Sequence, residues 1–134
     1  MAARHLHIRL LETATKLGAL VFETGGTALD WHGGLVAQAR RLGKARGSGA
    51  DWYAFVNVWR RLAIKGIVGQ VRPAFNMDDV HRRTLDDALA QFGLVDWGET
   101  ERDVMVRARH RLDTWPDFEP ALYRSRRTLP VVSS

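Results

Sequence analysis

The sequence predicts an α/β protein that is helical over most of its length, with parallel strands flanking a large helical insertion. Residues 19–22 form a continuous apolar run, typical of a strand that is covered on both faces. Four or five segments with helical periodicity follow, and residues 129–132 form a second apolar run. Because two strands so far apart need a crossover connection, they are expected to pair in parallel.

The first predicted strand ends on a carboxylate and a glycine turn. Glu23 follows the apolar run directly, at the carboxyl end of the strand, where open α/β sheets place their chemistry. Gly25 and Gly26 relax the limits on φ, so that backbone amides and the Thr27 hydroxyl can turn back toward a ligand of the carboxylate. The simpler interpretation is a strand followed by an ordinary glycine loop.

Three amphipathic helices are predicted next. The first spans residues 34–42, and Asp51 can cap the second after a glycine-punctuated loop. A wide apolar stripe marks the second helix: Trp52, Phe55, Val56, Trp59, Leu62 and Ala63. The third helix is predicted to start at Asn76 or Asp78 and to end at Gly93. Its apolar side is formed by Met77, Val80, Thr84, Leu85, Ala88, Leu89 and Phe92.

Two further helices lead to the second strand. One is predicted at residues 99–112, with Val104, Ala108 and Leu112 facing inward. The other is predicted to run from a cap at Asp117 to residue 127. Since the carboxyl ends of parallel strands meet at one edge of a sheet, Glu23 and Ser133 are expected to lie together.

Composition narrows the classes of function. With 134 residues and 46% hydrophobic content, the chain is long enough for one domain with a real core. The absence of cysteine excludes disulfides and thiolate metal sites, and no apolar run approaches the ~20 residues of a membrane helix. These observations predict a cytoplasmic protein with no membrane partner. His5 and His7 lack a carboxylate at ligand spacing, so no metal site is predicted.

The basic charge of the chain invites a nucleic-acid interpretation. The formal net charge is +5 and the sequence pI is near 10.4. However, the arginine pairs at 40–41, 60–61, 82–83 and 126–127 fall in different predicted helices and alternate with acidic residues. This distribution is typical of solvated helix faces, so no nucleic-acid partner is predicted.

Four motifs carry a resemblance to a known family. They are Phe22-Glu23-Thr24-Gly25-Gly26-Thr27 with Asp30-Trp31, Trp59-Arg60, Trp115-Pro116-Asp117, and Val131-Val132-Ser133. In this order and spacing, residues 17–134 resemble the haloacid dehalogenase (HAD) superfamily, and within it the type II 2-haloacid dehalogenases. The resemblance implies a partial HAD-like Rossmann-type core with a helical cap. It divides the chain into an N-terminal extension (1–16), the first strand and nucleophile turn (17–30), the cap (31–114), and the return helix with the second strand (115–134).

The resemblance also implies a reaction. In that family a carboxylate displaces halide from the α-carbon of a small 2-haloalkanoic acid, and water hydrolyses the resulting enzyme ester without a metal or organic cofactor. By resemblance Glu23 is the nucleophile and Thr27 orients it. Arg60 projects from the cap toward the leaving halide, and Ser133 binds near the carboxylates. Three further residues are expected to contact the substrate: Gly25, Arg61 and Ser134.

The chain departs from the family pattern at several points. Glu23 stands where the family uses aspartate, and Gly25 stands where the dehalogenases usually carry an aromatic residue and the phosphatases a second aspartate. Ser134 stands where asparagine is common, and no residue matches the later lysine and acidic motif. The chain is therefore interpreted as truncated after the second core strand, with reduced or absent activity. Uncovered strand edges predict association, for example as a homodimer.

Two alternatives stay open. The chain could be a non-catalytic, degenerate relative of the HAD proteins that serves as a helical protein-interaction module. Arg60, which follows the core-facing Trp59, could equally be a surface cation whose stem covers apolar side chains.

Overall fold

A computed structural model describes residues 19–22, 24–68, 74–127 and 131–133. These residues form β1 (Leu20–Phe22), α1 (Trp31–Ala45), α2 (Trp52–Ile67), α3 (Met77–Gln91), α4 (Glu99–Arg107), a 3₁₀ helix (Ala108–His110), α5 (Phe118–Arg126) and β2 (Val131–Ser133). The described part of the chain is thus mostly helical, as the sequence predicts. It separates into a strand unit, Met1–Leu29 with Thr114–Ser134, and a helical unit, Asp30–Asp113.

The two strands of the strand unit pair in parallel. Leu20 lies opposite Val131, and Phe22 lies opposite Ser133. The predicted parallel pairing is confirmed, with one difference in the bounds: β2 spans Val131–Ser133, so Ser133 belongs to the strand and does not follow it. The connection between the strands contains the entire helical unit, as a parallel crossover requires.

The prediction that the first strand is covered on both faces is wrong. Val21 is 64% exposed and Leu20 is exposed as well. The physical reason is that an apolar run is buried only where other elements pack over the sheet, and among the described residues α5 packs mainly against β2. Phe22 is the better-covered residue of β1, because its ring meets that of Phe118 in α5 edge-to-face, with 5.5 Å between the centroids.

The helical unit has a well-defined apolar core. The stripe predicted for α2 is buried, except that Leu62 is only partly covered. The inward side of α3 is also buried, except that Met77 is exposed and Phe92 half-buried. The largest fully buried side chains of the core are Trp59, Phe55, Leu35, Leu85, Leu89, Met105, Val56 and Val80. The ends of this unit meet where the N–H of Asp30 donates to the carbonyl of Asp113 at 2.9 Å.

Local capping chemistry sets several helix ends. Oδ1 of Asp51 accepts from the N–H of Ala54 at 3.0 Å, and Oδ1 of Asn76 accepts from the N–H of Asp78 at 2.9 Å, so these two predicted caps are confirmed. Gly93 follows α3 with φ +66°, which also agrees with its predicted role. Helix α1 starts three residues before the prediction because Asp30 caps it.

Two helix predictions are wrong in detail. The predicted cap at Asp117 makes no side-chain hydrogen bond to the helix, because its backbone is already helical (φ −91°, ψ −9°) and not extended like that of a capping residue. The fourth helix ends at residue 107 and continues as a 3₁₀ turn to residue 110, so the predicted end at residue 112 is wrong. Met105 and Val106 are its buried residues, whereas Ala108 and Leu112 of the predicted inward set are partly buried against the core. That set, Val104, Ala108 and Leu112, lines an open groove of about 500 Å³.

Gly43 of α1 lies directly against the indole of Trp52. A Cβ placed at Gly43 would overlap Cζ2, Cη2 and Cε2 of Trp52. Alanine gains about 1 kcal/mol of helix propensity over glycine, but forced overpacking costs about 1–3 kcal/mol or more. Because an overlap this close places the overpacking cost at the upper end of its range, we expect Gly43→Ala to lower the free energy of unfolding by about 1–2 kcal/mol in urea denaturation.

The matched control is Gly49→Ala, because a Cβ at Gly49 meets nothing within 4 Å. This substitution should change the free energy of unfolding by less than about 0.5 kcal/mol. A Gly43→Ala variant as stable as the parent chain would contradict the steric argument.

Candidate functional site

The turn after β1 is closed by hydrogen bonds within the backbone. The carbonyl of Thr24 accepts from the N–H groups of Ala28 and Leu29, at 3.0 and 3.2 Å. Gly26 has φ +108°, a conformation that side chains with a Cβ rarely adopt. Gly26 therefore allows the chain to reverse directly after the strand.

Trp115 attaches the return segment to this turn. Its indole Nε1 donates to the carbonyl of Gly26 at 3.0 Å, and its backbone N–H donates to the carbonyl of Ala28 at 3.0 Å. Leu29 and Thr114 form an antiparallel bridge beside these bonds. Sequence reasoning gave Trp115 only a packing role, so its positioning of the turn was missed; its place in the Trp-Pro-Asp motif was the available signal.

The predicted site residues fall in both units. Glu23 and Ser134 lie outside the described residues. The backbone of Ser133 pairs with Phe22, the residue immediately before Glu23. Gly25 and Thr27 are exposed on the turn that follows. The structure therefore brings β2 beside the end of β1, and the catalytic roles of these residues remain predictions.

Arg60 and Arg61 lie on α2 of the helical unit, and both are exposed. The guanidinium of Arg60 stacks on an indole, with Cζ 4.6 Å from the centroid of Trp31. Such a cation–π contact holds a guanidinium in a defined place and contributes about 0.5–1 kcal/mol at an exposed position.

A second guanidinium, that of Arg109, lies over the indole of Trp59, the residue before Arg60. Trp59 is fully buried, and Cζ of Arg109 lies 4.4 Å from the centroid of its ring. Nε and Nη2 of Arg109 are buried and have no hydrogen-bond partner among the described residues. Burial first, and then the positive charge of Arg60, lowers the pKa of Arg109 to about 10, while Asp78 acts in the opposite direction.

His81 of α3 contacts Trp59. Its backbone carbonyl accepts from Nε1 of Trp59 at 3.0 Å. Burial first, and then the charge of Arg109, lowers the pKa of the His81 imidazole to about 4, so the ring is neutral at physiological pH. Sequence reasoning assigned nothing to Arg109 or His81, because no local pattern links them to Trp59.

Three other arginines of the helical unit form ion pairs. Arg82 pairs with Glu99 at 2.7 Å and also with Asp103 and Asp86. Arg102 pairs with Asp86 at 2.6 Å, and Arg46 pairs with Glu101. Arg60 and Arg109 differ from this set, because neither forms an ion pair with a described residue.

Among the described residues no three histidines, aspartates or glutamates lie close enough together to hold a metal ion. Within the same residues, no helix has the length and apolarity needed to cross a bilayer.

The chain is similar to several solved structures, whereas no protein-family model and no curated protein matches it. A defluorinating L-2-haloacid dehalogenase matches 86% of this chain with a TM-score of 0.72 and 28% identity. Another L-2-haloacid dehalogenase matches 87% with a TM-score of 0.70 and 24% identity. The enzyme of Xanthobacter autotrophicus with chloropropionic acid covalently bound matches 87%, with a TM-score of 0.62 and 22% identity.

The chain covers 49%, 51% and 46% of these three proteins, which is about half of their length. The match includes both units, since 86% of the present chain is aligned. The predicted resemblance is confirmed: the chain has a HAD-like fold, mostly helical, and its neighbours among solved structures are L-2-haloacid dehalogenases.

Proposed function

We propose that the chain carries the nucleophile strand and the helical cap of a hydrolase that displaces halide from small 2-haloalkanoic acids. The parallel register is the observation that carries this proposal. Ser133 lies opposite Phe22, so β2 brings Ser133 beside the end of β1, and Glu23 is the next residue along the chain. The similarity to L-2-haloacid dehalogenases supports the class of reaction and substrate.

In the proposed reaction a carboxylate oxygen of Glu23 attacks the α-carbon of the substrate. The new C–O bond forms as the carbon–halogen bond breaks, and the halide leaves with the bonding electron pair. Water then hydrolyses the ester, which restores the carboxylate and releases a 2-hydroxy acid. Thr27 orients the nucleophile, and Ser133 donates a hydrogen bond to a carboxylate.

Arg60 is the proposed halide-binding residue. A departing halide requires fixed positive charge, and a guanidinium stays charged at any pH at which the protein is folded. The stacking of Arg60 on Trp31 supports a defined position for this charge. The remaining proposed substrate contacts are made by Gly25, Arg61 and Ser134.

Glutamate at position 23 is expected to make the reaction slow. Its additional methylene moves the carboxylate by about 1 Å relative to aspartate, and a misplacement of that size can cost about a hundredfold in rate. The proposed activity of this chain is therefore low, and a substitution that restores the shorter side chain should raise it.

Halide release from 2-chloropropionate tests the proposal. We expect Glu23→Asp to release chloride at least about tenfold faster than the parent chain, and Glu23→Gln to release none. Arg60→Ala should lower the rate by about a hundredfold or more, because it removes the charge that stabilises the leaving ion. Arg124→Ala, on the exposed side of α5, is the control and should leave the rate unchanged.

Mass spectrometry adds a direct readout, because a covalent ester on Glu23 increases the mass of the peptide that contains it. Release that persists in Glu23→Gln would refute Glu23 as the nucleophile. Absence of release from every variant would remove the enzymatic proposal for this chain.

The exposed strand favours a second candidate function. With 64% of Val21 exposed, β1 offers an apolar strand to another chain. A non-catalytic HAD relative could pair through this strand with a protein partner or, as a homodimer, with a second copy. For the hydrolase we propose action in the cytoplasm on a small molecule, without a nucleic-acid partner.

A further inference from the structure

Arg60 and Arg109 are two guanidinium groups of the helical unit that share an unusual setting. Each lies over an indole ring, Arg60 over Trp31 at 4.6 Å and Arg109 over Trp59 at 4.4 Å. Trp59 and Arg60 are consecutive in α2, and the charge of Arg60 acts on Arg109. The indoles cover one face of each guanidinium, which leaves the N–H donors at its edge for hydrogen bonding.

The charges around Arg109 do not balance. Arg60 adds a second positive charge, and Asp78 is the acidic residue that acts on Arg109. The carboxylate of Asp78 already bonds Nε2 of His110, at 3.0 and 3.1 Å to its two oxygens. Arg60, Arg109 and Asp78 together carry a net charge of +1.

Buried hydrogen-bonding atoms are also left over. Nε and Nη2 of Arg109 are buried without a partner among the described residues. An unpaired donor of a charged group costs about 1–3 kcal/mol or more, so a ligand that accepts from these atoms would gain affinity by satisfying them. The other half-buried arginines of the helical unit, Arg82 and Arg102, have carboxylate partners, whereas Arg109 forms no ion pair with a described residue.

We propose that Arg109 is a second anion-binding residue beside Arg60, and that the two guanidinium groups together bind a small monovalent anion, a halide ion or a carboxylate. The single negative charge of such an ion neutralises the net charge of +1. In assigning the ion to the reaction, this inference rests on the proposed function, because Arg60 is the residue proposed to receive the leaving halide. It adds Arg109, which no sequence motif indicates.

A purely structural role for Arg109 is the competing explanation. In that case its side chain only covers the ring of Trp59, and any side chain of similar length would do the same. Arg109→Met keeps the cover and removes the charge, whereas Arg109→Lys keeps the charge and removes the planar set of donors.

Line broadening of the ³⁵Cl NMR signal by the full chain measures chloride binding directly. We expect the broadening to fall at least about fivefold in Arg109→Met and to be intermediate in Arg109→Lys. Arg111→Gln, which removes an exposed arginine two residues away, is the control and should broaden the signal like the parent chain. Displacement by sodium propionate identifies the site as one for carboxylates, and displacement by bromide alone identifies it as one for halides.

Unchanged broadening in a folded Arg109→Met variant would overturn the proposal. If that variant does not fold, chemical modification of the parent chain gives the answer. Chloride should slow the reaction of phenylglyoxal with Arg109 and leave that of Arg111 unchanged, and equal rates at Arg109 with and without chloride would overturn the proposal. Chloride binding without halide release would reject the proposed hydrolase and leave the anion site standing.

Discussion

Replacing Trp59 by alanine is expected to lower the free energy of unfolding of the helical unit by about 3–5 kcal/mol. The side chain is fully buried in the core, so its removal forfeits the transfer free energy of the indole and leaves a cavity. Its Nε1 also donates to the carbonyl of His81 at 3.0 Å, which would lose its partner. Urea denaturation followed by circular dichroism measures the loss.

Two variants separate the components of this effect. Trp59→Phe keeps an aromatic ring but removes the hydrogen bond, and we expect a cost of about 1–2 kcal/mol from the lost bond, plus a smaller packing loss. Val95→Ala shortens a side chain that is 79% exposed and should change stability by less than about 0.5 kcal/mol. A cost below about 1 kcal/mol for Trp59→Ala would show that Trp59 does not anchor the core.

Local chemistry explains why much of the helical unit could be predicted. A capping side chain such as Asp51 or Asn76 bonds a backbone N–H two or three residues away, so the signal and its effect lie in one short segment. The apolar stripe from Trp52 to Ala63 is likewise set by the period of a single helix. These features require no knowledge of the rest of the fold.

The failed predictions depend on neighbours that a local pattern does not specify. The apolar run at 19–22 predicted a covered strand, but coverage depends on what packs over the sheet. Val104, Ala108 and Leu112 line one groove, but Met105 and Val106 are the buried residues of α4, because burial depends on what packs against the helix. Asp117 has the right residue type for a cap but the wrong backbone conformation.

The candidate site shows the same division. The glycine turn and the parallel pairing of β1 with β2 follow from the order of motifs, and both are present. The hydrogen bond from Trp115 to Gly26 joins residues 89 positions apart. The contact of Arg109 with Trp59 likewise joins two different helical segments. Such contacts arise from the packed fold, so a scan for local periodicity does not find them.

Trp59 lies in the core and contacts both His81 and Arg109. Its indole donates to the backbone of His81, and the guanidinium of Arg109 stacks on its ring. The charge of Arg109 also acts on the imidazole of His81, whose ring centroid lies 6.3 Å from that of Trp59. Protonation of His81 would therefore add a positive charge beside Arg109 within the packed unit, so the stability of this region should depend on pH.

The direction of that dependence follows from the pKa of His81, which folding lowers to about 4 from an ordinary value of 6.5. Above the ordinary value both states hold a neutral ring, and the stability is fully present. As the pH falls below it, the unfolded chain binds a proton that the folded chain does not, so the free energy of unfolding decreases until the pH reaches the folded-state pKa. Between about pH 7 and pH 5 this group alone should account for a loss of about 2 kcal/mol.

Urea denaturation at a series of pH values measures the slope, and two substitutions assign it. His81→Leu removes the titrating group. Between pH 7 and pH 5, the free energy of unfolding of this variant should therefore decrease by about 2 kcal/mol less than that of the parent chain. His110→Gln removes an exposed imidazole of the same unit and should leave most of the dependence in place. Equal slopes in the parent chain and His81→Leu would mean that His81 is solvated when folded, because only a buried neutral imidazole couples folding to this proton.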